Sequence, residues 1–452
     1  MKNFLSCKKR CSLYFIGVGG VSMSGLALYS LSQGFLVSGS DITKSETTQK
    51  LEEKGVKVYY GHSASNVENC DVVIYTSAIA NDNEELLTAK KLGKVVFERT
   101  EFLAKILSEY QFVIAVSGCH GKTTVTAMLT HIFSLAKKSV TSFIGGYDTV
   151  FSNFTLGGDK TYCICEACEF KRNFLALKPT VAVVTNIDND HLDCYNSLED
   201  IKKAFSDFTF DKITIFNADD QNSRYNFSGA TITFGIDEPS QIRAVHLKAN
   251  AGYYSFTVSE YGVKKIRLNL KIQGKHNVYN ALSAIAVARY YGIEYKHIKK
   301  AIENFTGVLR RGEVLGVLNG VKFLADYAHH PNEINAVLSG VDISETAIIF
   351  QPHTFSRTKH LKNDFIKSLQ NFDVAVYETF SARENYDAEG SAYSLYDGLK
   401  KINPFAEYLP DKRSLIAYLN KKIKNKKQII FLGAGDIYFI AKEYLLTIYK
   451  TD

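Results

Sequence analysis

Twice within the first 128 residues a short apolar run breaks into glycines and passes at once into a helical stretch: LYFIGVGGVSMSGLA from residue 13 and FVIAVSGCHGKTTVTAM from residue 112. A glycine-bounded turn between strand and helix fits few architectures, because the next strand must run parallel and the helix must cover the sheet between them. The same alternation fills the chain. SLYFI, GFLVSGSD, VKVYY, DVVIYTSA and KVVFE read as strands ending in Gly, Ser, Asp or Asn, with helical SMSGLALYSLSQ and TQKLEEKG between them. A second unit opens at QFVIAVSG, continues through the helical TAMLTHIFSLAKK and adds buried strands at TYCICEA and PTVAVVTNI. A third has apolar strands at VKFLADYA, TAIIFQPH, DVAVYETF and QIIFLGAG. Residues 230–270 alternate with turn punctuation, which predicts an antiparallel patch or a small insertion, and an amphipathic helix is expected from His276 to Tyr291. The expectation is an α/β protein of mainly parallel sheets in three domains, 1–108, 109–307 and 308–452.

The length of 452 residues suits about three domains of roughly 150 residues. No run nears the roughly 18 apolar residues of a membrane span, and MKNFLSCKKRCSLYF has no signal-peptide pattern, so a cytoplasmic protein without membrane insertion is expected. The net charge of +7 is dispersed; only NKKIKNKK concentrates it, as a solvated helix end would, and no nucleic-acid partner is expected. Eight cysteines without a secretory signal argue for thiols, not disulfides. Cys165-x-x-Cys168 with His191-x-x-Cys194 has zinc spacing, but strand alternation sends Cys165 and Glu166 to opposite faces, which favours a magnesium site.

Four polar clusters carry the chemistry. At the first glycine turn, Gly17, Gly19, Gly20 and Gly25 allow a backbone to approach a phosphate, and Asp41 closes the second strand where an acid can hold a ribose. Ser22 takes the third glycine position of the dinucleotide fingerprint, so a bound dinucleotide does not follow. In the second turn, Gly118 and Gly121 are separated by two residues where the standard phosphate loop has four. Its amides can still wrap an oxyanion, Lys122 adds a charge, and the Thr123 hydroxyl is placed for Mg²⁺. Glu166, with Glu169 one turn on, and His191 follow neighbouring strands and can converge there. GKHNVYNALSA gathers Lys275, His276, Asn277 and Asn280 at a helix start, where Asn277 is also a possible N-cap. ADYAHHPNE gathers Asp326, Tyr327, His329 and His330 at a strand end, ahead of Pro331, which opens a helix.

In this order the clusters resemble the Mur ligases over nearly the whole chain, on FIGVGGVSMSGLA with SGSD, SGCHGKTTVTAM, EACEFKRNFL, VTNIDNDHLD, GKHNVYNALSA, DYAHHPNEI, FQPHTFSRT and LGAGDI. The resemblance implies a Rossmann-like UDP-sugar domain, a central P-loop ATPase-like domain and a Rossmann-like C-terminal domain that helps hold the amino acid. It implies ATP, Mg²⁺, UDP-N-acetylmuramate and L-alanine as the small molecules bound, and a monomer or homodimer. By the same resemblance Lys122, Glu166, His191 and His330 are the catalytic candidates, and Thr123, Glu166 and His191 hold metal. Gly118, His120, Gly121, Lys122, Thr123, Thr124, His276, Asn277, Asn280, Arg311 and Asp326 would bind the nucleotide. Gly19, Gly20, Ser22, Met23, Ser24, Asp41 and Ser77 fall to the UDP-sugar, with Tyr327, His329 and Arg357 around the alanine. The chain departs from the family pattern twice: Cys119 replaces the Thr of GTHGKT, and EACEF stands where many members have EADES, putting Cys168 at an acidic position. The rival assignments are a ligase of the superfamily with another acceptor, a P-loop NTPase doing conformational work, and a non-catalytic nucleotide or zinc module.

Overall fold

The computed structural model describes residues 11–77, 79–189, 194–224, 227–382 and 384–449. The N-terminal segment alternates β1 (Ser12–Ile16), α1 (Val21–Ser32), β2 (Leu36–Asp41), α2 (Glu46–Glu53), β3 (Lys57–Tyr60), β4 (Val72–Tyr75), α3 (Glu84–Lys91), β5 (Val95–Glu98) and α4 (Arg99–Leu107). Its five strands pair in parallel in the order β3-β2-β1-β4-β5. Strand order reverses between β1 and β4, so the glycine turn after β1 opens at the crevice where such sheets bind ligands.

A ten-stranded sheet follows. It contains β6 (Phe112–Ser117), β7 (Val140–Asp148), β8 (Ser152–Thr155), β9 (Tyr162–Glu166), β10 (Val181–Val184), β11 (Ile213–Asn217), β12 (Thr231–Gly235), β13 (Ile242–Asn250), β14 (Tyr253–Glu260) and β15 (Val263–Gln273). The helices of this stretch are α5 (Lys122–Leu135), α6 (Leu198–Thr209), α7 (His276–Tyr290) and α8 (Tyr295–Asn304). Strands run in the order β15-β14-β13-β12-β11-β10-β6-β9-β7-β8, parallel from β13 to β7, with β8 antiparallel to β7. Residues 230–270 are therefore not a separate insertion. β12 extends the parallel sheet, and β13 to β15, linked by turns too short for a crossover, continue it as a meander. The exposed Lys264, Lys265 and Lys271 on edge strand β15 discourage pairing with another chain.

Helix α7 differs from the expected amphipathic helix. Val278, Ala281, Leu282, Ala284, Ile285, Ala286, Val287 and Ala288 are all buried, leaving no solvent stripe over those turns. Small residues let neighbours approach from every side, so the helix is apolar all round.

The third sheet holds β16 (Glu313–Leu318), β17 (Val321–Asp326), β18 (Thr346–Phe350), β19 (Asp373–Tyr377), β20 (Glu407–Leu409) and β21 (Gln428–Leu432). Its order is β16-β17-β21-β18-β19-β20, parallel except for β16. Helices α9 (Pro331–Leu338), α10 (Phe355–His360), α11 (Lys362–Leu369), α12 (Ala392–Lys400), α13 (Lys412–Lys422) and α14 (Ile437–Tyr449) complete the α/β pattern.

Three sheets resolve into two compact units: residues up to 247 with 255–269 and 278–305, and residues 248–254 and 270–277 with 306 onward. The first sheet and most of the second share a unit because one core runs through both. Leu13, Phe15 and Phe102 belong to the same buried cluster as Phe143, Cys163 and Phe174. Helix α1 docks on the β7–β8 hairpin, with the Tyr29 ring 5.7 Å from Phe143 and 6.1 Å from Phe154. The buried Asn153 amide donates to the Val21 carbonyl at 2.7 Å and to Ser24 Oγ at 2.8 Å.

Candidate active site

The loop between β6 and α5 needs its glycines. Gly118 and Gly121 have φ of 126° and 87°, in the left-handed region that favours glycine. A Cβ on Gly118 would collide with Thr185 Oγ1, and one on Gly121 with Asn280 Oδ1. The loop is cast against residues 185–188, which follow the adjacent strand β10. The Thr185 hydroxyl donates to the His120 carbonyl at 2.6 Å, as does the Asn186 amide at 2.9 Å, and Asn186 Oδ1 accepts from the His120 amide at 2.9 Å. His120 Nε2 lies 3.3 Å from Asp188 Oδ2. The Cys119 thiol is buried; it donates to the Asp188 carbonyl at 3.4 Å and accepts from the Asp188 amide at 3.2 Å.

Lys122 begins α5, and Thr123 and Thr124 lie buried in its first turn, where backbone N–H groups lack helical partners. The Lys122 ammonium donates to the Gly118 carbonyl at 2.5 Å and the Cys119 carbonyl at 3.1 Å. It also reaches both Glu169 oxygens, at 2.9 and 3.0 Å. Burial works against its charge, but the carboxylate of Glu169 outweighs it and raises the lysine pKa.

Glu166 ends β9 opposite Val116 of β6, and its Oε1 accepts from the Gly145 amide at 2.5 Å. Its neighbour Cys165 is fully buried in the core, and burial pushes that thiol up to about 12. Among the described residues Cys165, Cys168 and Cys194 form no group able to share an ion. His191 lies outside the described residues. Glu169 is 1 % exposed, and its carbonyl accepts from the Tyr195 hydroxyl at 2.5 Å. Lys171 and Arg172, just beyond it, hold positive φ of 51° and 57°.

At the first glycine turn, Gly20 and Ser22 are exposed, and Asp41 Oδ2 accepts from the Gly19 amide at 2.9 Å. Met23 is 2 % exposed within the core, and the buried Ser24 hydroxyl donates to Val21 O at 2.9 Å. Ser77 is half-buried in the loop after β4. Asn277 is not the N-cap of α7. It lies one residue inside the helix, donating to the Gln273 carbonyl at 2.7 Å and lying 3.1 Å from His276 Nε2.

The third sheet carries its own polar cluster at the end of β17. Asp326 accepts from the Gly312 amide at 2.7 Å and the Ala328 amide at 2.8 Å. Burial, partly offset by Arg311, raises its pKa to about 6. The Arg311 guanidinium sits 4.9 Å from the Tyr327 ring centre and 3.7 Å from Glu333. His329 Nδ1 is 2.9 Å from the Tyr327 carbonyl, and its ring centre is 5.6 Å from that of His353. Arg357 Nη1 lies 3.4 Å from His353 Nδ1. Burial, with His329 and Arg357 nearby, lowers His353 to about 3. His330 is buried as the N-cap of α9, its Nδ1 accepting from the Asn332 amide at 3.3 Å.

Sequence spacing therefore picked out the loop and the Asp326 cluster and named Glu169 only as a glutamate one turn past Glu166, while Thr185, Asn186 and Asp188, which contact the loop, were passed over. Their one visible signal was position, just past the ends of strands flanking the loop.

Three family models match in chain order: "Mur ligase family, catalytic domain" over residues 12–111, "Mur ligase middle domain" over 116–288 and "Mur ligase, glutamate ligase domain" over 310–435. The UDP-N-acetylmuramate–L-alanine ligase of Acetivibrio thermocellus is 40% identical over 447 residues, covering 96% of this chain and 95% of that protein. The protein of the same name from Caldicellulosiruptor bescii is 41% identical over 437 residues, covering 94% and 96%. The solved UDP-N-acetylmuramate–alanine ligase of Thermotoga maritima matches with a TM-score of 0.85 at 28% identity, over 98% of this chain and 100% of that one. Matches of this extent, laid over the phosphate loop and all three sheets, place the chain in the Mur ligase family.

Proposed function

We propose that the chain is an ATP-dependent ligase joining L-alanine to the lactyl carboxylate of UDP-N-acetylmuramate, a step of peptidoglycan precursor synthesis. One observation carries this: identity near 40% along almost the full length of ligases bearing that name, with the phosphate loop intact. A carboxylate is a poor electrophile toward an amine. Its oxygen therefore attacks the γ-phosphorus first, releasing ADP and leaving an acyl phosphate. The alanine nitrogen then adds to the acyl carbon, loses a proton, and the tetrahedral intermediate expels inorganic phosphate. Both steps demand charge neutralisation and in-line positioning more than covalent help from the protein.

The assigned roles follow the clusters. Loop amides with Lys122 hold the β- and γ-phosphates, and Asn280, Asn277 and His276 stand on the adenine side. Arg311 reaches phosphate and Asp326 the ribose, while Tyr327, His329, His330 and Arg357 surround the alanine, Arg357 pairing with its carboxylate. Gly19, Gly20, Ser22, Met23, Ser24, Asp41 and Ser77 take the UDP-sugar. Among the described residues the Thr123 hydroxyl at the start of α5 and the Glu166 carboxylate at the end of β9 are oxygen donors of the kind Mg²⁺ takes, and His120 and Asp188, 3.3 Å apart, offer further donors at the loop. When bound, Mg²⁺ would neutralise phosphate charge. The divisions 1–108, 109–307 and 308–452 then correspond to sugar-binding, ATP-binding and amino-acid-binding parts of a cytoplasmic monomer or homodimer.

The test is phosphate release with each substrate omitted in turn. Release should require ATP, UDP-N-acetylmuramate and L-alanine together, and Lys122→Ala should abolish it while UDP-sugar binding persists. Full ATP turnover without acceptor and amino acid would sink the assignment in favour of an NTPase.

A further inference from the structure

The Lys122 ammonium has three protons, and four protein oxygens already lie within 3.1 Å of it: the carbonyls of Gly118 and Cys119 and both oxygens of Glu169. A phosphate arriving in the loop must displace at least one of them. The two carbonyls belong to the loop itself, which Thr185 and Asn186 hold in place at His120, so they stay beside the lysine when a phosphate enters. Glu169 comes from a different segment, beyond β9. It is also the one anion among the three partner groups, and a carboxylate beside a polyphosphate in a poorly solvated site is repelled. Of the lysine's partners, Glu169 is the one that a phosphate oxygen most resembles in charge and geometry.

Resting on the nucleotide-site assignment above, we propose that Glu169 is an anionic placeholder: it positions the Lys122 ammonium in the empty loop and yields it to the nucleotide phosphate on binding. The residue is a positioning residue, acting through Lys122. Three features suit the role. Its carboxylate is buried at 1 % exposure, so the lysine is not left for solvent to disorder. Its carbonyl is anchored by Tyr195, so the side chain can swing while the backbone stays. The left-handed pair Lys171 and Arg172 directly follows it, a strained backbone of the kind that marks segments poised between states.

The test is ADP affinity in Glu169→Gln, which keeps the shape but removes the competing charge. The placeholder predicts binding about tenfold tighter than in the parent protein, because phosphate no longer displaces a carboxylate. KM for ATP should fall without a rise in kcat, and Glu169→Asp should retain near-parental ADP affinity. A purely structural role, or direct ligation of a metal by Glu169, predicts weaker nucleotide binding in Glu169→Gln, and unchanged or weaker binding overturns the proposal. Should the variant not fold, carbon NMR on the parent protein decides: the Glu169 carboxylate ¹³C resonance should shift when ADP binds, and an unchanged resonance overturns it. If the parent protein binds no ADP, the nucleotide-site assignment itself falls; if it binds ADP and only these responses are missing, the placeholder alone falls.

Discussion

Cys119 shows how one side chain can be both unusual in its motif and well accommodated. The thiol sits where a threonine is more common, with the Asp188 amide and carbonyl 3.2 and 3.4 Å from its sulfur. A threonine hydroxyl can donate and accept in the same way, so Cys119→Thr should keep kcat within about threefold of the parent. Cys119→Ala leaves the Asp188 amide without that acceptor and opens a small void. Its unfolding free energy should drop by about 1–2 kcal/mol in urea titration. Comparable stability in the alanine variant would mean the sulfur contacts contribute nothing. Lys122 offers the contrasting lesson: its identity as the phosphate lysine follows from Gly-x-x-Gly-Lys-Thr alone, whereas its partner Glu169 lies 47 residues away in sequence and was visible only as a second glutamate one turn past the first.

At the scale of elements, the β7–β8 hairpin ties the first two sheets together. Gly145 of β7 holds Glu166 and Tyr147 reaches Thr47 at the start of α2 at 2.6 Å, while Asn153 of β8 donates to the Val21 carbonyl in the first turn of α1. Removing the amide in Asn153→Ala takes one donor each from the Val21 carbonyl and the Ser24 hydroxyl at a buried junction and should cost about 1–2 kcal/mol by equilibrium unfolding. Because α1 begins at the glycine turn assigned to the UDP-sugar, KM for that substrate should rise more than KM for ATP. Equal changes in both would show that the hairpin supports the fold without shaping the sugar site. The buried α7 makes a related point: helical periodicity located it, but its all-round burial depended on how many elements packed against it.

For the molecule as a whole, two groups of the third sheet set opposing pH dependences. His353 goes from an ordinary 6.5 to about 3, so the unfolded chain binds more protons there and stability is lost as pH falls through that window. Asp326 goes from 3.8 to about 6, so the folded chain binds more protons and stability is lost as pH rises between those values. The two partly cancel in the parent protein. In His353→Gln only the Asp326 contribution remains, so the variant should gain stability relative to the parent between pH 6.5 and 4.5, measured by urea unfolding at both. A pH-independent difference would place His353 in solvent-like surroundings. What the sequence alone determined is local: strand–glycine–helix punctuation, the α/β class, the short phosphate loop and the Asp326 cluster, each specified by neighbours in the chain through period and turn chemistry. The tertiary structure decided what depends on strand order: β10 beside β6 brings Thr185 and Asn186 under the loop, β9 beside β6 brings Glu169 to Lys122, and α7 sets Asn280 against Gly121. Those pairings join residues from tens of positions to well over a hundred apart, and only the packing of apolar faces selects among the orders a repeated βα pattern allows.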